Sequence, residues 1–336
     1  MTYESLLNDP RLKQSHGSLY EQEFWGIPRH ELIAGAAETF LSQRARDAVT
    51  TLLKPLGKTI RLRDIAGWAD RIKRHSPNPS QDDPDTVAFL RDARNKRQPE
   101  WHYVNIPLNA ETYDRERYPA FTNDEDVVQM SRECIRVLAE SSERFSALNA
   151  LRLITHLAGD LHQPVHVGCC YISGSGSDSQ LERDPEAIVT GNFKSDRGGN
   201  ALRLPTGDTL HAYWDSKLQS QSFAATANKE AMAVPELQEL FIRKLVAMAV
   251  ARASDAQFAP TDVMSLPNAW ATASLIAARR AYVSLRIVAP NPGNPKIFDV
   301  EWDSRAAYDQ RCAPVVKDQL SLAARNLAGL LNAIWN

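Results

Sequence analysis

Apolar residues recur every three or four positions over most of this chain, the spacing that places them on one face of a helix. The first long series runs from residue 30 to about 53, and the second covers 125–160 with a break near Ser141. Further helical series cover about 229–254, 267–286 and 304–333. Since alternating segments are few, the pattern predicts an all-α, multi-helix chain folded as one domain.

Shorter patterns lie between these series. A short helix is expected from Arg63 to Lys73, and residues 101–107 are expected to form a short strand or an extended passage. Asp208 is the expected N-cap of a helix that carries His211 and Asp215. The Pro, Gly and Asn residues of 289–295 predict a loop.

Two segments lack helical periodicity. Residues 1–24 are interpreted as a polar N-terminal extension that precedes a domain over 25–336. Within that domain, Gly, Ser, Asp and Asn dominate residues 169–200, which predicts a long loop. Such loops often carry function, so this loop is expected to lie beside the site.

Composition sets limits on function. The chain has 336 residues, 43% of them hydrophobic and 24% charged, and a net charge of −2, which gives no global basic field for nucleic acid. Bound metal ions would supply the missing positive charge. The four cysteines show no disulfide framework, and no run of 18 apolar residues predicts a transmembrane helix. The N-terminus lacks the apolar core of a signal peptide.

The densest candidate chemistry lies in residues 156–166, which hold three of the eight histidines and an aspartate. His156 and Asp160 are four residues apart, so on a helix they share a face and can bind one ion. His162 falls on a different face and is interpreted as structural or surface. Pro164 disfavours helix at the preceding residue, so the chain turns and His166 can swing back. Imidazole and carboxylate ligands suit zinc.

The same spacing occurs again at His211 and Asp215. Upstream, His30, Asp70 and His102 are further candidate ligands. One zinc ion needs fewer ligands than these segments offer. The sequence therefore predicts several metal ions in one cleft.

In order and spacing, these residues and their neighbours resemble the S1/P1 nuclease family, whose members are zinc enzymes of the phospholipase C/P1 nuclease superfamily. The resemblance runs from Trp25 to about Asn332. It rests on these motifs: Trp25-Gly26 with His30, Trp68-Ala69-Asp70, Trp101-His102-Tyr103, His156 with Asp160 and His166, Gly198-Gly199-Asn200, and His211 with Asp215. It implies cleavage of single-stranded DNA and RNA to 5′-phosphorylated products, often with 3′-nucleotidase activity.

The resemblance also implies a role for each matching residue. The first of three zinc ions is expected on Asp70, His102, His156 and Asp160, and the second on His166, His211 and Asp215. The third is expected on His30, an oxygen of Asp160 and the backbone of Trp25. Asp70, Asp160 and Lys73 are the expected catalytic residues, with Lys73 near the scissile phosphate. Substrate contacts are expected from Tyr103 by base stacking, from Asn105 at the base-recognition position and from Asn200.

The sequence departs from the family pattern at two places. Twenty-four residues precede Trp25, whereas the family's mature chain begins at this Trp and its free amine binds the third zinc. Either the extension is trimmed, or the Trp25 carbonyl binds that zinc more weakly. The segment 169–196 is longer than its family counterpart, and it covers the cleft, narrows the substrate range, or is inert and disordered.

Two other functions stay open at this point. A zinc phospholipase C has a similar fold and metal set, although it carries Glu where this chain has Asp215. An inactive zinc-binding or interaction protein is the second alternative. A monomer without membrane insertion is expected. The family is usually secreted or periplasmic, and the sequence itself leaves the location undetermined.

Overall fold

A computed structural model of the chain describes residues 27–174, 178–218, 235–251 and 262–336. Helices dominate these residues. They are α1 (Ile27–Thr39), α2 (Gln43–Leu53), α3 (Leu62–Ile65), α4 (Trp68–Ile72), α5 (Pro84–Arg91), α6 (Val127–Leu138), α7 (Ala147–Leu161), α8 (Pro164–Val167), α9 (Pro185–Thr190), α10 (Leu210–Ala212), α11 (Pro235–Ala251), α12 (Leu266–Ala278) and α13 (Arg305–Ile334).

Helix α7 is the centre of the fold. Ser146 caps its N-terminus by accepting a hydrogen bond from the amide of Asn149, and nearly every residue of α7 is buried. A helix that is buried on all sides needs partners around its whole circumference. Nine other helices of the described residues supply these partners, namely α1, α2, α3, α4, α5, α6, α8, α12 and α13. The residues on α7 are therefore held in the middle of the protein.

Three small sheets accompany the helices. Strands β1 (Ile106–Pro107) and β2 (Gly168–Cys169) pair in parallel, with Ile106 opposite Gly168. The second sheet has the antiparallel order β4-β3-β5, and the third has the order β6-β8-β7. Their strands are β3 (Tyr171–Ser173), β4 (Gln180–Glu182), β5 (Lys194–Ser195), β6 (Leu202–Arg203), β7 (Arg286–Asn291) and β8 (Asn294–Glu301).

Most of the helical predictions match these elements, with corrected boundaries. The series from residue 30 to 53 forms two helices. The first ends at Thr39, and Ser42 caps the N-terminus of the second. The expected helix from Arg63 to Lys73 is likewise two short helices, α3 and α4. The series at 267–286 ends earlier, at Ala278, and a 3₁₀ turn over Arg279–Tyr282 follows. Only 235–251 of the predicted 229–254 lies within the described residues.

The sheets correct two predictions of loop. The segment 169–200 is not one long loop, since it contains β3, β4, β5 and α9. Residues 289–295 were expected to be a loop but lie in the β7–β8 hairpin. The fold is thus helix-dominated, as predicted, but not purely α. The described helices include none with the length and apolar composition needed to cross a bilayer.

The short extended passage at 101–107 is confirmed as strand at Ile106–Pro107. All four cysteines are buried and unpaired, in agreement with the expected lack of a disulfide framework. The extension 1–24 lies outside the described residues.

Candidate metal centre

Asp160 is the residue on which the site converges. It lies on α7 one turn after His156, and both side chains are buried. Its Oδ2 is 3.2 Å from His156 Nε2 and 2.9 Å from His102 Nδ1. Its Oδ1 is 3.1 Å from His166 Nδ1 and 3.6 Å from His30 Nε2. One carboxylate therefore faces four imidazoles that come from separate elements.

The first group of candidate ligands joins α7 to α4. Asp70, His102 and His156 each place a nitrogen or oxygen within 4.8 Å of one another. Asp70 Oδ1 lies 3.5 Å from His156 Nε2 and 3.9 Å from His102 Nδ1. Lys73 Nζ forms an ion pair with Asp70 Oδ1 at 2.6 Å. The Lys73 ammonium group thus lies at the edge of this group of candidate ligands.

The second group consists of His166, His211 and Asp215, with ligand atoms again within 4.8 Å. His211 Nε2 lies 3.3 Å from Asp215 Oδ2, as expected for residues four apart on a helix. The helix is irregular, because a π turn over Tyr213–Lys217 follows α10. Such turns often occur at functional sites.

The N-cap of α10 corrects a prediction. Thr209, not Asp208, caps this helix by accepting a hydrogen bond from the amide of Ala212. Asp208 instead forms an ion pair with Lys217 at 2.9 Å. The helix that carries the second His-Asp pair begins one residue later than the sequence suggested.

The third group is His30, His156 and Asp160. The His30 and His156 rings stack with their centroids 3.6 Å apart. Gly159 makes room for the His30 ring, since a Cβ there would lie 2.6 Å from His30 Nδ1. Trp25, the remaining expected ligand, lies outside the described residues.

Backbone carbonyls fix the tautomer of three histidines. Nδ1 of His156 lies 2.8 Å from the carbonyl of Ala66, Nδ1 of His166 lies 3.0 Å from that of His102, and Nδ1 of His211 lies 2.9 Å from that of Gly198. A carbonyl can only accept, so each Nδ1 carries a hydrogen, and the neutral form of each ring presents a lone pair at Nε2. This arrangement is the usual one for histidines that bind metals.

Several buried polar atoms in the cluster have no hydrogen-bond partner among the described residues. They are His30 Nδ1, His156 Nε2, His166 Nε2 and Asp215 Oδ2. Leaving such an atom unsatisfied costs about 1–3 kcal/mol. Bound cations would satisfy the unpaired Nε2 and carboxylate atoms, so the residues of the cluster fit a metal centre.

Electrostatics favour the ligand forms of most of these side chains. Burial lowers the pKa of His102 to about 4 and also lowers the pKa values of His30 and His211, so these rings are neutral near pH 7. Burial alone would raise the pKa of Asp160, but nearby histidines, His156 first, hold it well below its usual range. The carboxylate is therefore ionised at neutral pH.

Two further side chains position Asp215, and neither was predicted from the sequence. Gln163 Nε2 donates to Asp215 Oδ1 at 2.7 Å, and Arg29 donates to the backbone carbonyls of Asp215 and Ser216. Both are sequence neighbours of candidate ligands, Gln163 within 156–166 and Arg29 beside His30. Position next to a ligand was the only signal available for them.

His162 is structural, in line with its interpretation from the sequence. It is buried, its Nδ1 donates to the carbonyl of Ala158 at 2.6 Å, and its Nε2 lies 2.8 Å from Asn326 Nδ2. Neither ring nitrogen is left for a metal ion.

The residues expected to contact substrate lie around the cluster. Tyr103 follows His102 and is 41% exposed, which is unusual for a large side chain in this fold. Asn105 is half-buried, and its carbonyl accepts a hydrogen bond from Tyr171 Oη at 2.9 Å. Asn200 donates through Nδ2 to the carbonyl of Arg197 at 3.0 Å, so this amide group stabilises its own turn.

Comparison with known proteins gives consistent matches. Endonuclease 2 of Arabidopsis thaliana is 25% identical over 201 residues, which are 58% of this chain and 56% of that protein. Nuclease S1 of Aspergillus oryzae is 26% identical over 206 residues, 59% of this chain and 55% of that protein. The chain thus spans about half the length of these two relatives. Endonuclease 4 of Arabidopsis thaliana is 23% identical over 325 residues, 93% of this chain and 89% of that protein.

A family model described as S1/P1 Nuclease matches residues 25–336. This match covers all the motifs on which the sequence resemblance rests, from Trp25 to Asp215, and so confirms the resemblance at the level of the family. The chain belongs to the S1/P1 nuclease family.

Proposed function

We propose that this protein is a zinc-dependent nuclease that hydrolyses phosphodiester bonds of single-stranded DNA and RNA to 5′-phosphorylated products, with 3′-nucleotidase activity. The observation that carries the proposal is the set of three adjoining His-Asp groups around Asp160, next to the exposed Tyr103. Family membership and the names of the relatives, which include a nuclease and two endonucleases, agree with it.

Nitrogen and carboxylate oxygen ligands without thiolate support zinc as the metal. Asp70, His102, His156 and Asp160 would hold one ion, and His166, His211 and Asp215 a second. His30 and Asp160 would hold a third together with Trp25. Zinc at such a site stabilises negative charge on a phosphoryl group and lowers the pKa of water toward neutrality.

The protein's own side chains supply the rest of the chemistry. Asp160 and Asp70 stay ionised and orient the imidazoles around them. Lys73, which is ion-paired with Asp70 at the edge of the first group, would place its ammonium near the phosphate undergoing cleavage. Tyr103 offers a ring on which a base can stack, and stacking of this kind tolerates any base but requires an unpaired strand. Single-strand preference follows from the use of such a ring.

The test combines metal content with activity. Protein purified without added zinc should contain close to three zinc ions per chain and should cleave single-stranded DNA in preference to duplex, and chelation should abolish cleavage. His156→Ala should lose both metal and activity. The matched control is His75→Ala, because His75 is an exposed histidine that contacts Asp82 rather than the cluster.

Other results would overturn the proposal. Turnover of phosphatidylcholine but not single-stranded DNA would identify a phospholipase C. Bound zinc without hydrolysis of any phosphodiester or 3′-nucleotide would identify an inactive member of the family. Absence of zinc from both the purified and the zinc-supplemented protein would exclude the metal centre itself.

A further inference from the structure

Arg197 occupies an unusual backbone conformation at the edge of the metal centre. Its φ is +57°, a left-handed value that is uncommon for residues other than Gly, Asn and Asp. The side chain is exposed, and it forms no ion pair or hydrogen bond with the described residues. An unpaired cation held in a strained conformation is a candidate for function.

The turn that carries Arg197 is rigid. The buried Asp196 accepts hydrogen bonds from the amides of Gly199 at 3.1 Å and Cys170 at 3.3 Å. The carbonyl of Arg197 accepts from both the backbone and the side-chain amide of Asn200. The position of Arg197 is therefore set by hydrogen bonds on both sides of it.

This turn also contacts the metal centre directly. The carbonyl of Gly198 accepts from His211 Nδ1 at 2.9 Å. Gly198 also packs so closely on the carbonyl of Val165 that a Cβ there would lie 2.1 Å from it. Arg197 is thus one residue away from contacts to both segments that carry the second group of ligands.

Tyr103 lies next to a residue that contacts the same segment. Val104, the next residue, donates its amide to the carbonyl of His166 at 2.8 Å. Tyr103 and Arg197 are therefore each one residue from a direct contact with the segment Val165–His166. Arg97 and Arg197 both lie near enough for their positive charges to act on Tyr103.

The two arginines near Tyr103 differ in one respect. Arg97 is neutralised by Glu100 at 2.6 Å and by Glu125 at 3.7 Å. Arg197 has no such partner among the described residues, so its guanidinium is available to an anion. Arginine binds phosphate oxygens through paired donors, which gives both charge and geometry.

We propose that Arg197 is a substrate-binding residue that contacts a backbone phosphate of the single strand whose base stacks on Tyr103. This phosphate is a neighbour of the one at the metals, so Arg197 selects polynucleotide over mononucleotide substrates. The inference rests on the proposed nuclease function and deepens it.

The test uses the full-length, zinc-loaded protein and two substrates, oligothymidylate and thymidine 3′-phosphate. Arg197→Asn removes the charge with a residue that accepts the left-handed backbone. We expect it to raise KM for oligothymidylate by roughly three- to tenfold, to leave kcat unchanged, and to leave turnover of thymidine 3′-phosphate unaffected. The slope of log KM against log salt should fall by about 0.7, the value for one phosphate contact on a single strand. Arg44→Asn is the matched control, since Arg44 is an exposed arginine on α2.

Each alternative outcome is informative. Equal loss on both substrates would show that the turn acts only through His211, and equal behaviour of Arg197→Asn and Arg44→Asn would show no role for Arg197; either result overturns the inference. Binding of oligothymidylate, followed by fluorescence anisotropy, decides the matter separately from cleavage. If the wild-type protein binds the strand through Arg197 but cleaves neither substrate, the proposed function fails and the binding role stands.

Discussion

At Gly159, the addition of a single methyl group should disrupt the third group of candidate ligands and leave the other two groups intact. In Gly159→Ala the new Cβ would lie 2.6 Å from His30 Nδ1 and 2.8 Å from His30 Cε1. Ordinary van der Waals contact begins near 3.4 Å, so the His30 ring would have to move by about 0.8 Å. The His30 ring is also stacked on His156 with centroids 3.6 Å apart, so this displacement would disturb the stack as well.

A shift of this size exceeds what a metal site tolerates. Ligand distances in zinc sites stay within about 0.2 Å of their usual values, so a displacement of about 0.8 Å removes His30 from the ligand set. We expect zinc content to fall from about three to about two ions per chain. The rate of single-stranded DNA cleavage should fall as well, because the third ion is expected to take part in the reaction. Metal content is measured by elemental mass spectrometry, and cleavage is measured on a single-stranded DNA oligonucleotide.

The chain offers a matched control for this substitution. Gly329 also lies within a helix, α13, and a Cβ there would meet no described atom within 4 Å. Alanine is favoured over glycine in a helix by about 1 kcal/mol, which for a chain of this length raises Tm by roughly 1–2 °C. Gly329→Ala should therefore be more stable with unchanged zinc content. If Gly159→Ala also keeps all its zinc and its activity, the close packing of His30 on Gly159 does not govern the third site.

Three further changes test other parts of the structure. Gln163→Leu removes the 2.7 Å hydrogen bond to Asp215, and we expect roughly 10- to 100-fold weaker zinc binding in a chelator competition; unchanged affinity would contradict a positioning role. His162→Ala should lower the free energy of unfolding by about 1–3 kcal/mol, because it removes a buried hydrogen-bonded ring, without loss of zinc; loss of zinc would identify His162 as a ligand. Burial raises the pKa of Asp196 from 3.8 to about 7. Protonation of this carboxyl therefore contributes at most roughly 4 kcal/mol to the free energy of unfolding below pH 4, and this contribution is lost as the pH rises through 7. Asp196→Asn should flatten this slope in urea titrations, and an identical pH profile for both proteins would refute the assignment.

Local spacing was enough to predict how His156, Asp160, His211 and Asp215 are paired. Residues four apart on a helix must share a face, whatever surrounds the helix. The turn at Pro164 follows from proline's own backbone restrictions and brings His166 to Asp160 at 3.1 Å. These features depend on neighbouring residues alone, so a sequence pattern could reveal them.

The interactions that orient the ligands could not be predicted in this way. The imidazoles of His156 and His211 are held by the carbonyls of Ala66 and Gly198, which belong to distant parts of the chain. A backbone carbonyl is present at every residue and leaves no sequence signal. Only the packing of α7 against its neighbours decides which carbonyl is in reach.

The small sheets were missed for a different reason. Most residues of strands β4 and β7 are half-buried or exposed, and Val288 on β7 is 52% exposed. A strand without one fully buried face has no strict alternation of apolar and polar residues. The Gly-, Ser- and Asn-rich sequences of these segments therefore resembled loops.

The β4-β3-β5 sheet nevertheless bears on the site. Tyr171, on β3, donates to the carbonyl of Asn105, and Cys170, beside β3, is bound to both the backbone and the carboxylate of Asp196. One strand thus connects the segment that follows Tyr103 with the turn that carries Arg197. Because neither connection uses the side chain of Tyr103 or Arg197, the sheet sets the spacing between these two side chains independently of what they bind. The segment 169–196 can therefore shape the candidate site by fixing the positions of these two side chains.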